Sequence, residues 1–430
     1  MGTLSVDKLM KTSTGAAEFT LPATDGTAGQ SMVTDGSGQL SLGNPTLPAD
    51  SVTTTEILDG TIISANLADD AVATAKIAAL AVTPAKMATS AYTANRNIII
   101  NGNFNVWQRG TSFAAVANAT YAPDRFFYEK TGAMVHTITR DADVPTQAQS
   151  GLKSLYSMKV DCTTVDASIA AGDFCNLVQR IEGYNFSQLE GNTGTISFWV
   201  KATKTGTYCV SVISGSSDRS YVSEYTVSVA DTWEKKTATI VFNYSGGGWN
   251  YGNGIGLQIK WALATGSNYQ GVADTWNSAQ DTGTSNQVNA CDSTSNNFFL
   301  SQVQLEVSPT ATPFEHKTYG QELQACQRYY QKLYSGQEGP MGVYVDSSYI
   351  YSYFYPLIVE MRTSPTLDQG SSSPSFEYRY SGWQTDGTFS SSNLKTMAIR
   401  FRLSQPTAVD TYGIATMIEI KGTWSVDAEL

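Results

Sequence analysis
Trp249 and Tyr251 stand in the stretch YSGGGWNYGNG, and Trp276 stands in the polar stretch GVADTWNSAQDTGTSNQ. Glycines on both sides of Trp249 and Tyr251 leave those rings without sequence neighbours to bury them. Sugar recognition asks for a flat aromatic face against the apolar side of a pyranose, with amides or carboxylates nearby for its hydroxyls. Trp249, Tyr251 and Trp276 are therefore the first candidates for glycan contact, on loops of the kind that carry binding residues. The rival reading packs the same rings against a neighbouring subunit. Alternation in YIYSYFY, residues 349–355, puts Tyr349, Tyr351, Tyr353 and Tyr355 on one face. Tyr351 and Tyr353 thus offer a second surface, either ligand platform or subunit contact. The other tryptophans considered read as packing: Trp199 lies in ISFWVK, Trp261 is in phase with Leu257, Ile259 and Leu263, and Trp233 fits a plug at a sheet edge.

Bond-making chemistry finds little support. His136 and His316 are too few for a histidine-rich metal centre, and neither lies in an H-E-x-x-H run. The five cysteines, at 162, 175, 209, 291 and 326, are odd in number and never in C-x-x-C spacing. That pattern indicates reduced, partly buried thiols, and neither a disulfide framework nor a zinc site. There is no G-x-S-x-G elbow and no P-loop, and GNGIG at 252–256 opens a strand. A glycan-cleaving carboxylate pair needs only a separation of about 5–9 Å in space, so among 38 acidic residues Glu182, Glu190 and Asp173 are as eligible as any and none is indicated. No catalytic residue, metal or cofactor is expected, and the chain is not expected to be an enzyme. A net charge of -11 without a basic cluster argues against nucleic acid. The absence of a long apolar run, and of signal-peptide order in MGTLSVDKLMKTSTG, leads us to expect a soluble chain, not exported by the general secretory route and not inserted in a membrane.

These residues must be held by elements, and 430 residues exceed what one core usually serves, so two or three units are expected. Phe19 is the sole aromatic residue before Tyr92; such a segment cannot bury enough surface alone and must be disordered or borrow a core from other chains. Val52, Ile57, Ile62, Leu67, Val72, Ile77, Val82 and Met87 recur every fifth position within a ten-residue unit. A step of five keeps no single face of a helix or a strand. An elongated path bending in each unit, closed by three chains wound together, would keep it. A short Ala-rich helix over residues 71–81 is the competing reading. From Tyr92 to about His316 short alternating runs separated by Gly- and Ser-rich turns indicate a sandwich of two antiparallel sheets. TYGQELQACQRYYQKLYSG then shows helical spacing through Leu323, Gln327, Tyr330 and Leu333, with Gly336 as a stop. Alternation resumes beyond it. The fold expected is mainly β: an N-terminal neck or attachment segment (1–50), a decapeptide-repeat shaft (51–94), a jelly-roll-like β-sandwich body (95–317), and a short helix with a small C-terminal β domain (318–430).

FTLPATDGTAGQSMVTDGSGQLSLGN resembles the neck of bacteriophage tail fibres, and the decapeptide stretch is similar to the repeats that follow such necks. RNIIINGNFNVWQRG, YAPDRFFYE and FFLSQVQLEVSPTATPFEHKTYGQELQACQRYYQK resemble the body of phage tail-fibre and structural proteins, and YPLIVEMRTSPTL with the terminal DAEL resembles their C-terminal part. The body is also similar to jelly-roll carbohydrate-binding modules, through NGNFNVW as first strand and FFLSQVQLEV as last. In those modules an acidic residue near the last strand often helps bind a structural calcium; Ser301 and Gln302 stand there in this chain. The resemblance implies a homotrimeric tail fibre or receptor-binding protein, assembled in the host cytoplasm, carried on the virion with other tail proteins, and adhering to host cell-surface polysaccharide or lipopolysaccharide. Two other classes stay open: a capsular polysaccharide depolymerase tailspike, and a virion decoration or baseplate protein without a ligand. Analytical ultracentrifugation of the full chain is expected to give a trimer, and a stable monomer at micromolar concentration would remove the shaft.

Overall fold
A computed structural model describes residues 95–333 apart from 243–245, residues 355–368 and 424–430, and shorter runs between residues 8 and 43 and between 338 and 420. The repeat stretch 51–94 and Tyr353 lie outside the described residues, as does the side chain of Tyr351. The chain divides into two compact units, Met1–Lys86 and Met87–Leu430. In the first, β1 (Lys8–Met10) pairs antiparallel with β2 (Glu18–Thr20), and β3 (Ser31–Thr34) with β4 (Leu40–Gly43).

The second unit holds an antiparallel β-sandwich. Its strands are β5 (Ser112–Phe113), β6 (Thr120–Tyr121), β7 (Phe126–Lys130), β8 (Val135–Asp141), β9 (Ser157–Thr164), β10 (Phe174–Glu182) and β11 (Thr193–Ala202). They continue as β12 (Gly206–Ser214), β13 (Ser220–Val227), β14 (Glu234–Val241), β15 (Ile255–Thr265), β16 (Trp276–Asn277) and β17 (Asn297–Val307). One sheet runs β14-β11-β17-β9-β8-β5, and the facing sheet runs β16-β13-β12-β15-β10-β7-β6. The chain changes sheet at β5/β6, β7/β8, β9/β10, β10/β11, β11/β12, β13/β14, β14/β15 and β16/β17, so many consecutive strands face each other across the core as in a jelly roll. β11 and β12, adjacent in sequence across Thr203, Lys204 and Thr205, therefore belong to different sheets.

Period-two alternation supplies the core. Leu257, Ile259, Trp261 and Leu263 of β15 and Ile196, Phe198 and Val200 of β11 all join it. The Trp261 and Phe198 rings meet edge-on across the sandwich with centroids 5.9 Å apart. Trp199 points the other way. It is buried, but in a separate cluster with Trp233 and Phe299, beneath the Lys201 ammonium 4.1 Å from the Phe299 centroid. Trp233 donates its indole N–H to Asp143 at 2.8 Å. Trp199, expected from its alternating strand to be a packing residue, is one, but on the face away from the main core, which Phe198 of the same strand fills.

Helix α1 (Gln147–Ser150) and helix α2 (Gly183–Phe186) are single turns. Helix α3 (Tyr319–Gln327) begins on a capping box of Thr318 and Gln321. The sequence spacing carries the helix through Leu333, but it ends at Gln327 and the chain becomes strand β18 (Tyr330–Leu333). Tertiary partners decide this: β18 pairs with Trp424–Asp427, which pairs on its other edge with Thr366–Asp368. The rings of Tyr329 and Tyr330 also receive the guanidinium groups of Arg125 and Arg109, 3.5 and 3.6 Å from their centroids.

The final residues are clasped onto the sandwich. Arg125 is buried and ion-paired with Glu429. Arg109 pairs with Asp427 at 2.9 Å and Glu429 at 3.3 Å. Arg180 and the Tyr121 hydroxyl donate to the Leu430 oxygen. Burial pushes the Glu429 carboxyl above its ordinary range even though Arg125 and Arg109 pull it down. Glu429→Ala leaves buried guanidinium charge uncompensated and is expected to cost about 3–5 kcal/mol in chemical denaturation. Arg125→Met combined with Glu429→Leu should recover part of that loss, because the double variant removes both buried charges.

Candidate functional site
The loop between β14 and β15 turns on Gly246 and Gly247, whose φ values of 74° and 91° suit glycine. The turn folds Trp249 back so that its indole N–H donates to the Gly246 carbonyl at 2.9 Å. Two carboxylate oxygens of Asp218 accept from the Gly248 N–H at 3.0 Å, and the Ser214 hydroxyl donates to the same group at 2.6 Å. Those bonds hold the Asp218 carboxyl below the usual range. Further along, Gly183 N–H donates to the Gly254 carbonyl and Tyr184 N–H to the Gly252 carbonyl. A Cβ at Gly183 would lie 2.3 Å from the Asn250 oxygen, so the close seating of this loop requires glycine there.

Within that loop the rings do find neighbours, and they come from distant sequence. Trp249 and Tyr251 both stack on buried Phe186, at centroid distances of 5.1 and 5.7 Å. Trp276 meets Trp249 edge-on at 5.8 Å and also contacts Tyr221 and Phe242. The expectation that flanking glycines leave Trp249 without partners is corrected: Trp249 and Trp276 are half-buried against the core, and Tyr251 is 41% exposed. Trp276 also lies in a short strand, β16, paired with β13 at Tyr221, with its indole N–H on the Val241 carbonyl at 3.1 Å.

Beside this ledge opens a groove of about 580 Å³ between residues 267 and 285. Ser267, Gln270, Asn277, Ser278, Asp281 and Ser285 line it with hydroxyl, amide and carboxylate groups. Asp281 is the carboxylate among them, and burial pushes it up against the pull of the Ser220 hydroxyl. Its carboxylate packs so near Gly271 that a Cβ there would lie 2.3 Å from an oxygen. Arg219 links groove to ledge: it donates to the Ser278 hydroxyl at 2.7 Å, and its stem passes within 2.5 Å of where a Gly247 Cβ would be. The groove itself escaped sequence reading. Its polar residues are ordinary loop residues until folding makes them converge.

The other candidates resolve differently. Glu182 accepts two bonds from Arg328, at 2.7 and 2.9 Å, and one from the Tyr329 hydroxyl at 2.7 Å, so it is bound into the clasp of the C-terminal segment. Around Ser301 and Gln302, the Gln302 amide donates to the hydroxyls of Ser150 and Ser154 at 2.9 and 2.8 Å. Those partners are neutral and none is a carboxylate, a set that does not fit a hard calcium ion.

A second constellation is thiol-rich. All five cysteines are buried and free. His136 of β8 and Cys162 of β9 are cross-strand partners, while Cys175 reaches in from β10 on the facing sheet and Cys291 from the loop before β17. His136 Nδ1 lies 2.6 Å from the Tyr128 hydroxyl and 3.9 Å from the Cys175 Sγ, and Nε2 lies 3.7 Å from the Cys291 Sγ. No spacing rule could find this group, because its members are scattered over residues 128–291.

No protein-family model matches the chain, and no curated protein matches it. Solved structures similar to it include the enzymatically active domain of tailspike protein 4 of Bacteriophage CBA120, with 16% identity over 45% of this chain and 21% of that one, at a TM-score of 0.25. Others are the TmCBM61 module in complex with β-1,4-galactotriose, with 10% identity over 50% of this chain and all of that one, TM-score 0.24, and the family 11 carbohydrate-binding module of Clostridium thermocellum, with 10% identity over 48% and 98%, TM-score 0.25. The chain spans about a fifth of the tailspike and nearly the full length of the two modules. The sandwich rests on its own strand pairings, independently of these likenesses.

The ledge and the core separate by substitution. Trp261→Ala is expected to cost about 3–5 kcal/mol in chemical denaturation, through the cavity left between the sheets. Tyr251→Ala should cost about 1 kcal/mol, the scale of one aromatic pair. Equal losses would make Tyr251 a packing residue.

Proposed function
We propose that this chain is a tail-fibre adhesin of a phage virion, homotrimeric, whose sandwich binds host cell-surface polysaccharide or lipopolysaccharide without cleaving it. The observation that supports the binding reading best is the pairing of the aromatic ledge at Tyr251 and Trp249 with the open groove lined by Ser278, Asn277 and Asp281. An aromatic face and convergent hydroxyl, amide and carboxylate groups together meet both demands of a pyranose. The resemblance of the neck and repeat sequences to tail fibres supports the virion role. Three such sites per fibre would gain avidity on a repeating polymer, so each can be weak.

Among the described residues that line the groove Asp281 is the one carboxylate, and glycosidic hydrolysis ordinarily uses a pair, which supports adhesion over cleavage. Purified full-length protein is tested against host cells and their isolated surface polysaccharides. Tyr251→Ala and Asp281→Asn are expected to weaken binding about 5- to 150-fold, the equivalent of about 1–3 kcal/mol, while the folded state persists. Failure of the unaltered protein to bind host cells or their polysaccharides would sink the adhesin reading, and release of reducing ends would convert it to a depolymerase.

A further inference from the structure
The thiol-rich group between the sheets has the donor set of a soft cation. One ligand atom from each of His136, Cys175 and Cys291 lies within 4.8 Å of the other two, and all three residues are buried. Zinc–sulfur bonds near 2.3 Å and zinc–nitrogen bonds near 2.0–2.1 Å place tetrahedral donors roughly 3.5–3.8 Å apart. The Nε2 to Cys291 Sγ distance of 3.7 Å already falls there; the Cys175 Sγ lies 3.9 Å from the other ring nitrogen, Nδ1, so binding at Nε2 requires its side chain to turn toward that atom.

From this geometry we infer that His136, Cys175 and Cys291 form a structural site for one zinc ion, or a cation of like softness, inside the sandwich. Sulfur and imidazole donors select such ions over calcium or magnesium. Two thiolates and a neutral imidazole around a divalent ion carry no net charge, the state that a core of low dielectric tolerates. Tyr128 supplies the outer partner that metal-bound histidines characteristically have, its hydroxyl holding Nδ1 and leaving Nε2 toward Cys291. Cys162, across the strand pair from His136, adds a further thiol beside the group.

Its position gives the ion a structural task. Cys175 belongs to one sheet, His136 to the other, and Cys291 to a connection anchored by Asn289 on the Cys291 N–H and by the Asp166 N–H on the Cys291 carbonyl. Binding would tie both sheets to that connection and add to folding stability, since the unfolded chain has no preformed site.

The full chain tests this. Expressed with zinc in the medium and purified without chelator, it should carry one zinc per chain by native mass spectrometry, and chelation should lower its melting temperature. Refolded with cobalt(II) instead, the unaltered protein should show thiolate-to-metal charge-transfer absorbance, a readout that needs no variant. Cys175→Ser and Cys291→Ser should abolish the metal, Cys209→Ser should retain it, and Tyr128→Phe should weaken zinc binding about 10- to 100-fold. The inference is overturned if folded wild-type protein binds neither ion, if metal survives in Cys175→Ser combined with Cys291→Ser, or if mass analysis shows Cys175 joined to Cys291 as a disulfide.

Discussion
The second unit turns on a carboxylate placed among guanidinium groups. Glu429 sits buried between Arg125 and Arg109, and neither sign of charge could remain there without the other. Around that pair the tyrosine rings of β18 lie under the same guanidinium groups, so apolar burial and ion pairing act on one set of atoms. The result is that residues some 300 positions apart are held as neighbours, and the C-terminal strand Trp424–Asp427 has a fixed edge to pair with.

The clasp also reaches the ledge. Arg362 donates to the carbonyls of Ala428 and Glu429 at 2.8 and 2.9 Å, and to that of Asn253 at 2.8 Å. Asn253 belongs to the loop that carries Trp249 and Tyr251. Glu182 extends the same network, binding Arg328 and Tyr329 at the point where β10 gives way to helix α2, whose Phe186 underlies both rings. The ledge is therefore held from beneath by aromatic stacking and from the side by backbone and guanidinium hydrogen bonds. Such prior ordering reduces the entropy lost when a ligand binds.

The sandwich uses its polar groups in two ways. On the groove side Asp281, Asn277 and Ser278 line one cavity, the Asn277 amide held by Val272 and Thr275 and the Ser278 hydroxyl accepting from Arg219. Elsewhere they are consumed internally: Lys260 pairs with Glu129 at 2.7 Å, and Asn176 donates to the same carboxylate at 3.0 Å. Burial disfavours the charged Lys260 more strongly than Glu129 restores it. The pair reaches across β10, tying β15 to β7 with Asn176 of the intervening strand between them, and presents no surface for binding.

The amino-acid sequence by itself determined the mainly β character of the body, because strand alternation is local: Leu257, Ile259, Trp261 and Leu263 repeat every second residue whatever surrounds them. It also determined the start of helix α3, since Thr318 and Gln321 cap each other across one turn. Its end was not legible. Pairing of Tyr330–Leu333 with Trp424–Asp427 overrides helical spacing, and that partner lies about a hundred residues away. The candidate site divides along the same line. Trp249, Tyr251 and Trp276 were singled out by type and context, but their half-burial against Phe186 and one another depends on loops meeting in space. The groove beside them forms where the single connection spanning residues 267–285 folds back on itself, and the His136, Cys175 and Cys291 group could be assembled only by the tertiary structure, because its donors come from strands of two sheets and a connection and converge solely when the sheets close on a common core.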